Sequence, residues 1–101
     1  MVTWKIIPNT NNRYKISNHG EIYSNVKNRK LKGCTCNGHV RIRLYISPGK
    51  YTYHYLCNIV YKMFVDDIKN NHRVYHIDGD IHNNNVNNLL PVQFSFGLFK
   101  V

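Results

Sequence analysis

From His39 to Ile46 the chain alternates without a break. Val40, Ile42, Leu44 and Ile46 are apolar, and His39, Arg41, Arg43 and Tyr45 lie between them. A period of two places the first set on one face of a β-strand and the second on the other. Asn37-Gly38 before it and Ser47-Pro48-Gly49-Lys50 after it are turn sequences, so the strand is bounded at both ends. Such a strand requires a core against one face and projects two arginines and a tyrosine from the other.

The rest of the chain has to supply that core. Tyr51 to Phe64 changes period, with Leu56, Ile59, Val60, Met63 and Phe64 at helical spacing, which predicts a core helix over 51–64 ended by Asp66-Asp67. Upstream, Tyr14-Lys15-Ile16-Ser17 and Glu21-Ile22-Tyr23-Ser24 flank the turn signal Asn18-His19-Gly20 and read as paired strands. Asn28-Arg29-Lys30 reads as a polar break before Leu31-Lys32. Downstream, Lys69-Asn70-Asn71-His72 leads into a second hairpin over Val74–Leu89, and an apolar tail, Phe94 to Val101, follows as a strand or a helical turn. The expected class is α+β: small antiparallel strands, a core helix, and a terminal hairpin. At 101 residues one compact domain is expected, with a basic β-rich module over 1–50 and the helix and hairpin over 51–101.

Charge divides the chain unevenly. The net charge is +9, and residues 1–50 hold ten Lys or Arg against the single acid Glu21. Residues 51–101 are balanced, with four basic and four acidic residues. A cationic face backed by a neutral half favours a polyanion, most simply nucleic acid. An anionic membrane surface fits less well, because no basic amphipathic helix accompanies the charge. No apolar run approaches 18 residues, so no membrane span is expected, and Met1–Lys5 opens no signal peptide. Cys34, Cys36 and Cys57 are an odd count, which reads as free thiols in a reducing cytoplasm or nucleus. Cys34-x-Cys36 near His39 lacks the spacing and the second ligand pair that zinc requires.

The second hairpin carries the chemistry. His76 precedes the tight turn Asp78-Gly79, and Asn83, Asn84 and Asn88 return along the second arm. A phosphodiester is cut at a single-metal site by a neutral imidazole that deprotonates water and a hard cation on the scissile phosphate. His76 suits the base, Asn88 suits a hydrogen bond that holds the loop, and Asn83 and Asn84 suit left-handed or side-chain-capped loop positions.

The pattern V-x-H-x-D-G-x-x-x-N-N-x-x-x-N-L over Val74–Leu89, behind a helix opening Tyr53-His54-Tyr55-Leu56, resembles the HNH (ββα-metal) nucleases of the homing-endonuclease type. Trp4-Lys5-x-Ile7, Tyr14-Lys15-Ile16-Ser17-Asn18-x-Gly20-x-Ile22-x-Ser24 and Leu31-Lys32 are similar to the module that commonly precedes the nuclease hairpin in that family. The resemblance implies His76 as general base and Asn88 as the asparagine orienting the base-bearing loop. It implies a structural or phosphate-contacting role for His54, and Mg²⁺ or Mn²⁺ as the cofactor of an active member. It also implies a metal-ligating Asp, Asn or His just before the base, where this chain has Tyr75, and a phenol is a poor ligand for a hard cation. A third ligand belongs on a helix beyond Leu89, where Gln93 and Ser95 offer only weak oxygens. The final helix is therefore expected to be truncated or altered, with Asp78 a weak candidate ligand.

These residues point to a nucleic-acid-binding HNH-like protein with a metal-poor site, gripping double-stranded DNA through Lys27, Arg29, Lys30, Lys32, Arg41, Arg43 and His54. The alternatives are an active Mg²⁺- or Mn²⁺-dependent endonuclease or nickase, and a protein-interaction factor on the same scaffold. Fifteen asparagines, with abundant Lys, Ile and Tyr, suit an AT-rich virus or mobile element. A homodimer would add stability and a second contact to a chain this short.

Overall fold

The computed structural model describes residues 1–93; the apolar tail from Phe94 onward, with Ser95, lies outside the described residues. The fold is mixed and rich in strands, with one α-helix among the described residues. Strands β1 (Trp4–Ile6), β2 (Tyr14–Ser17), β3 (Ile22–Ser24) and β4 (Arg29–Leu31) form an antiparallel sheet in that order. A second sheet has β6 (His39–Ser47) between β5 (Cys34–Cys36) and β7 (Lys50–Tyr55), and β8 (His72–His76) pairs with β9 (Leu89–Gln93). Helix α1 spans Leu56–Phe64, and Val86–Asn88 form one 3-10 turn.

The alternation read in β6 is the alternation observed. Val40, Ile42 and Leu44 are buried and join Ile16, Ile22, Leu56, Ile59, Val60, Val74 and Leu89 in one apolar core. Ile46 is 37% exposed, because the pairing slips between Tyr45 and Ser47 just before the turn. Asn37 and Gly38, at φ 52° and 76°, form the two-residue turn that joins β5 to β6. The buried Tyr14 hydroxyl accepts the Tyr45 backbone N–H at 3.0 Å, which ties the first sheet to the second.

The sequence reading differs from the structure in two strands and at the start of the helix. Tyr51–Tyr55 is strand, not helix: Tyr51, Tyr53 and Tyr55 stand opposite Tyr45, Arg43 and Arg41. Aromatic side chains at alternate positions suit a pleated surface, and the helical spacing of apolar residues begins only at Leu56. Arg29 and Lys30, read as part of a break, pair with Ser24 and Tyr23, because the turn over 25–28 is already complete at Asn28, whose φ is 54°. β5 carried no strand signal, since its Cys-Thr-Cys run is too short to alternate; it forms by pairing with β6.

The terminal hairpin docks on the first sheet through a close backbone approach. Gly20, at φ +86°, lies so near Asn84 that a Cβ would sit 2.6 Å from the Asn84 carbonyl carbon and oxygen. Beside it, the Val86 N–H donates to the Asn18 carbonyl at 2.8 Å. Gly20→Ala is expected to cost about 2–4 kcal/mol in urea unfolding, combining left-handed strain with overpacking. Gly38→Ala, with φ +76° and open space around its would-be Cβ, is expected to cost only about 1–2 kcal/mol. Equal costs at the two glycines would contradict the docking contact.

Candidate nuclease hairpin and nucleic-acid interface

His76 ends β8, where the chain begins its tight turn; the Gly79 N–H donates to the His76 carbonyl at 3.0 Å. Its imidazole Nε2 lies 2.8 Å from Asn84 Oδ1. The Asn84 amide nitrogen donates to the Ile81 carbonyl at 3.1 Å, so Oδ1 is the accepting atom. The imidazole therefore donates from Nε2 and keeps the lone pair of its neutral form on Nδ1. Asn84 is 4% exposed, and no buried side-chain nitrogen or oxygen among the described residues lacks a partner.

Asn88 has a different task. Its Oδ1 accepts the Asp78 backbone N–H at 3.1 Å, and its Nδ2 donates to Asp78 Oδ1 and to the Asn83 carbonyl, each at 2.9 Å. Asp78 Oδ1 also accepts the Asp80 N–H at 2.8 Å, and Oδ2 accepts Asn83 Nδ2 at 2.9 Å. These bonds hold the Asp78 carboxyl below its usual range, the Asn83 side chain most strongly, then the Asp80 backbone and the Asn88 side chain. Asn88 thus braces the loop at Asp78, whereas the partner of His76 is Asn84. The sequence reading put Asn84 in the loop without naming that bond, because a strand-to-loop hydrogen bond eight residues apart has no periodic signature.

The same geometry tests the site against a hard divalent ion. Such an ion is held by carboxylate and amide oxygens free to turn toward it. The two Asp78 oxygens are committed to three hydrogen bonds inside the turn, and Asp80 Oδ1 accepts the His82 N–H at 2.9 Å. Tyr75 brings a phenol, and among the described residues no three His, Cys, Asp or Glu side chains converge to hold a metal. Gln93 sits across from His72 in β9, at the far end of that strand pair from His76. The described donor set does not fit the ion that HNH chemistry uses.

The basic residues do converge. Lys27, Arg29, Lys30, Lys32, Arg41 and Arg43 all line one groove of about 580 Å³ between the first and second sheets. On the exposed face of β6 and β7, the Arg41 guanidinium lies 4.2 Å from the Tyr53 ring centre, and that of Arg43 lies 5.1 Å from the Tyr51 ring centre. Tyr51 contacts both neighbouring tyrosines, Tyr45 at 5.4 Å and Tyr53 at 5.5 Å between centroids. Cation–π contact holds the two arginines against the tyrosine rings of the sheet. Lys30 is shared, with Nζ 2.8 Å from Glu21 Oε2.

His54 is not among them. It pairs in register with the buried Ile42, on the opposite face of the sheet from Arg41 and Arg43, and bonds Thr52 Oγ1 at 2.7 Å. Burial, then the Lys62 charge, lowers its pKa. The cysteines make no disulfide, and burial pushes the Cys57 thiol up. No described helix is long and apolar enough to cross a membrane.

With this geometry established, comparison with known proteins gives two positive findings. The NUMOD4 motif model matches residues 3–45, the region of β1 to β6 that builds the basic groove. Among solved structures, one described as DNA binding and cleavage by the HNH homing endonuclease I-HmuI is similar at a TM-score of 0.81 and 28% identity. That match covers 97% of this chain and 56% of the other, so this chain spans about half the length of the endonuclease it matches. Comparison with curated proteins gives no match. In fold the chain is similar to an HNH homing endonuclease over nearly all of its length, and its N-terminal part carries a NUMOD4 motif ahead of the terminal hairpin.

Asp78 supplies a pH test. Its pKa is depressed in the folded state, so its contribution is fully present above the ordinary carboxylate value and is lost as pH falls through the lower, folded value. Urea midpoints between about pH 5 and about pH 2 should therefore fall less steeply for Asp78→Asn than for the parent chain. Parallel acid limbs in the two proteins would remove Asp78 from that role.

Proposed function

We propose that this protein binds double-stranded DNA inside cells through its basic, tyrosine-backed groove, on an HNH scaffold whose nuclease centre is metal-poor. One observation carries the reading: six basic side chains from two stretches, 27–32 and 41–43, line one groove, with its arginines Arg41 and Arg43 held against tyrosines. Contacts of this kind neutralise phosphates and release counterions, giving affinity and register with little base readout. The similar endonuclease is described by its DNA binding and cleavage, and its likeness extends across nearly this whole chain.

The commitment of Asp78 to its turn and the phenol at Tyr75 favour binding without cleavage. A second reading, an active Mg²⁺- or Mn²⁺-dependent nickase, is favoured by one feature: His76 is held through Nε2 by Asn84 and lines an open cleft. That reading needs oxygen ligands from residues beyond 93 or from a second copy of the chain. His76 would be the general base and Asn88 the brace of its loop.

Duplex binding measured by gel shift over a range of salt tests the main reading. The parent chain should show a steep decline of log K with log salt, and Arg41→Gln with Arg43→Gln should reduce that slope by about 2. A shallow slope in the parent, or one unchanged in the double variant, would favour a protein-interaction role for the scaffold.

A further inference from the structure

The three sheets end in six edge strands among the described residues: β1, β4, β5, β7, β8 and β9. Proteins keep such edges from pairing with other chains by brevity, charge or proline. Here β1, β4 and β5 have three residues each, β8 carries Arg73, and β9 carries Pro91. β7 differs from all of them. It has six residues, exposed from Lys50 to His54, and after Lys50 it contains no Lys, Arg, Asp, Glu or Pro. In an antiparallel pair alternate backbone N–H and C=O groups point away from the partner strand. Tyr51 to Tyr55 hold a regular register with Tyr45 to Arg41, and no hydrogen bond among the described residues takes up the outward groups of Tyr51–His54.

The two faces of this edge differ in chemistry. On one face the Arg41 and Arg43 guanidinium groups lie over the Tyr53 and Tyr51 rings, at 4.2 and 5.1 Å from the ring centres. Both arginines belong to β6 and lean across onto β7, toward the open edge. On the other face runs a groove of about 840 Å³, lined by the stretch Thr52–Tyr55 and by Ile46, Ile59 and Met63. Asp67 is the one acid that lines this groove among the described residues. An extended strand alternates its side chains between two faces, so a guest beside β7 meets cations on one side and an apolar wall on the other.

A second copy of this chain does not answer that pattern. Two β7 edges side by side would set the arginine faces of two chains, each at +9, next to one another. We propose that the outer edge of β7 docks an extended segment of a partner protein in which acidic and aliphatic residues alternate. The segment adds antiparallel as a fourth strand of the second sheet, its carboxylates beside Arg41 and Arg43 and its aliphatic side chains against Ile46, Ile59 and Met63. Arg41 and Arg43 also line the basic groove, so such a partner occupies cations that a polyanion would use. The proposal goes beyond the nucleic-acid reading and stands on the edge and its two faces.

The test is backbone ¹H–¹⁵N NMR of the full chain titrated with the blocked heptapeptide acetyl-Glu-Val-Glu-Ile-Glu-Val-Glu-amide. The amide signals of Tyr51–His54 should shift, and their hydrogen exchange should slow in the complex. The fully N-methylated peptide, which cannot pair as a strand, should leave them in place. A peptide with lysine at every glutamate, and the variant Arg41→Gln with Arg43→Gln, should each bind at least about tenfold more weakly. Because no nucleic acid is present, a failed duplex reading leaves this result unaffected. Four outcomes would each overturn the proposal. They are no shift at Tyr51–His54 up to about 1 mM peptide, equal binding of the N-methylated peptide, equal binding of the lysine peptide, and protection of these amides that grows with protein concentration alone. The last would assign the edge to a second copy.

Discussion

The backbone of Asn84 rests against Gly20 at a distance that leaves no room for a side chain, while the Asn84 amide holds His76. One buried asparagine thereby fixes the placement of the hairpin on the first sheet and the tautomer of its histidine. Val74 and Leu89, the apolar residues of the hairpin arms, complete the core started by Ile16, Ile22 and the inner face of β6. The His76 imidazole is thus supported by the same contact that closes the core, and any change at Gly20 reaches it through Asn84.

Electrostatics then separates two kinds of positive charge. In the groove, arginines and lysines line one surface, some against tyrosine rings, an arrangement suited to a loose, salt-dependent grip on a polyanion. In the cleft lined by His39 and His76, burial and then the neighbouring His76 and Arg73 hold the His39 pKa down. The groove arrangement suits many phosphates along a duplex. Asp78, the carboxylate nearest His76 in sequence, is tied into the turn by its own hydrogen bonds.

Much of this was legible in the residues. The alternation of β6 named its buried and exposed faces, the β2–β3 hairpin announced itself by Asn18-His19-Gly20, and the hairpin frame pointed to the HNH class. What escaped was tertiary. β7 was hidden because its tyrosines run straight into a helix with a strong apolar stripe, and only pairing with β6 reveals the boundary. His54 stands opposite Ile42, on the other face of the sheet from Arg41 and Arg43, a placement that only strand register reveals. The Asn84 bond and the meeting of His39 with the hairpin join segments whose spacing no local pattern encodes. The expectation of a truncated last helix falls on residues outside those described.

Nicking of supercoiled plasmid in Mg²⁺, in Mn²⁺ and in EDTA, with His76→Ala alongside and duplex binding measured on the same samples, tests most directly whether the scaffold is kept for grip. The account predicts retained, salt-sensitive binding with no nicking above the His76→Ala background in any of the three conditions. Metal-dependent nicking that disappears in His76→Ala would contradict it, and would mean that ligands from elsewhere complete the site.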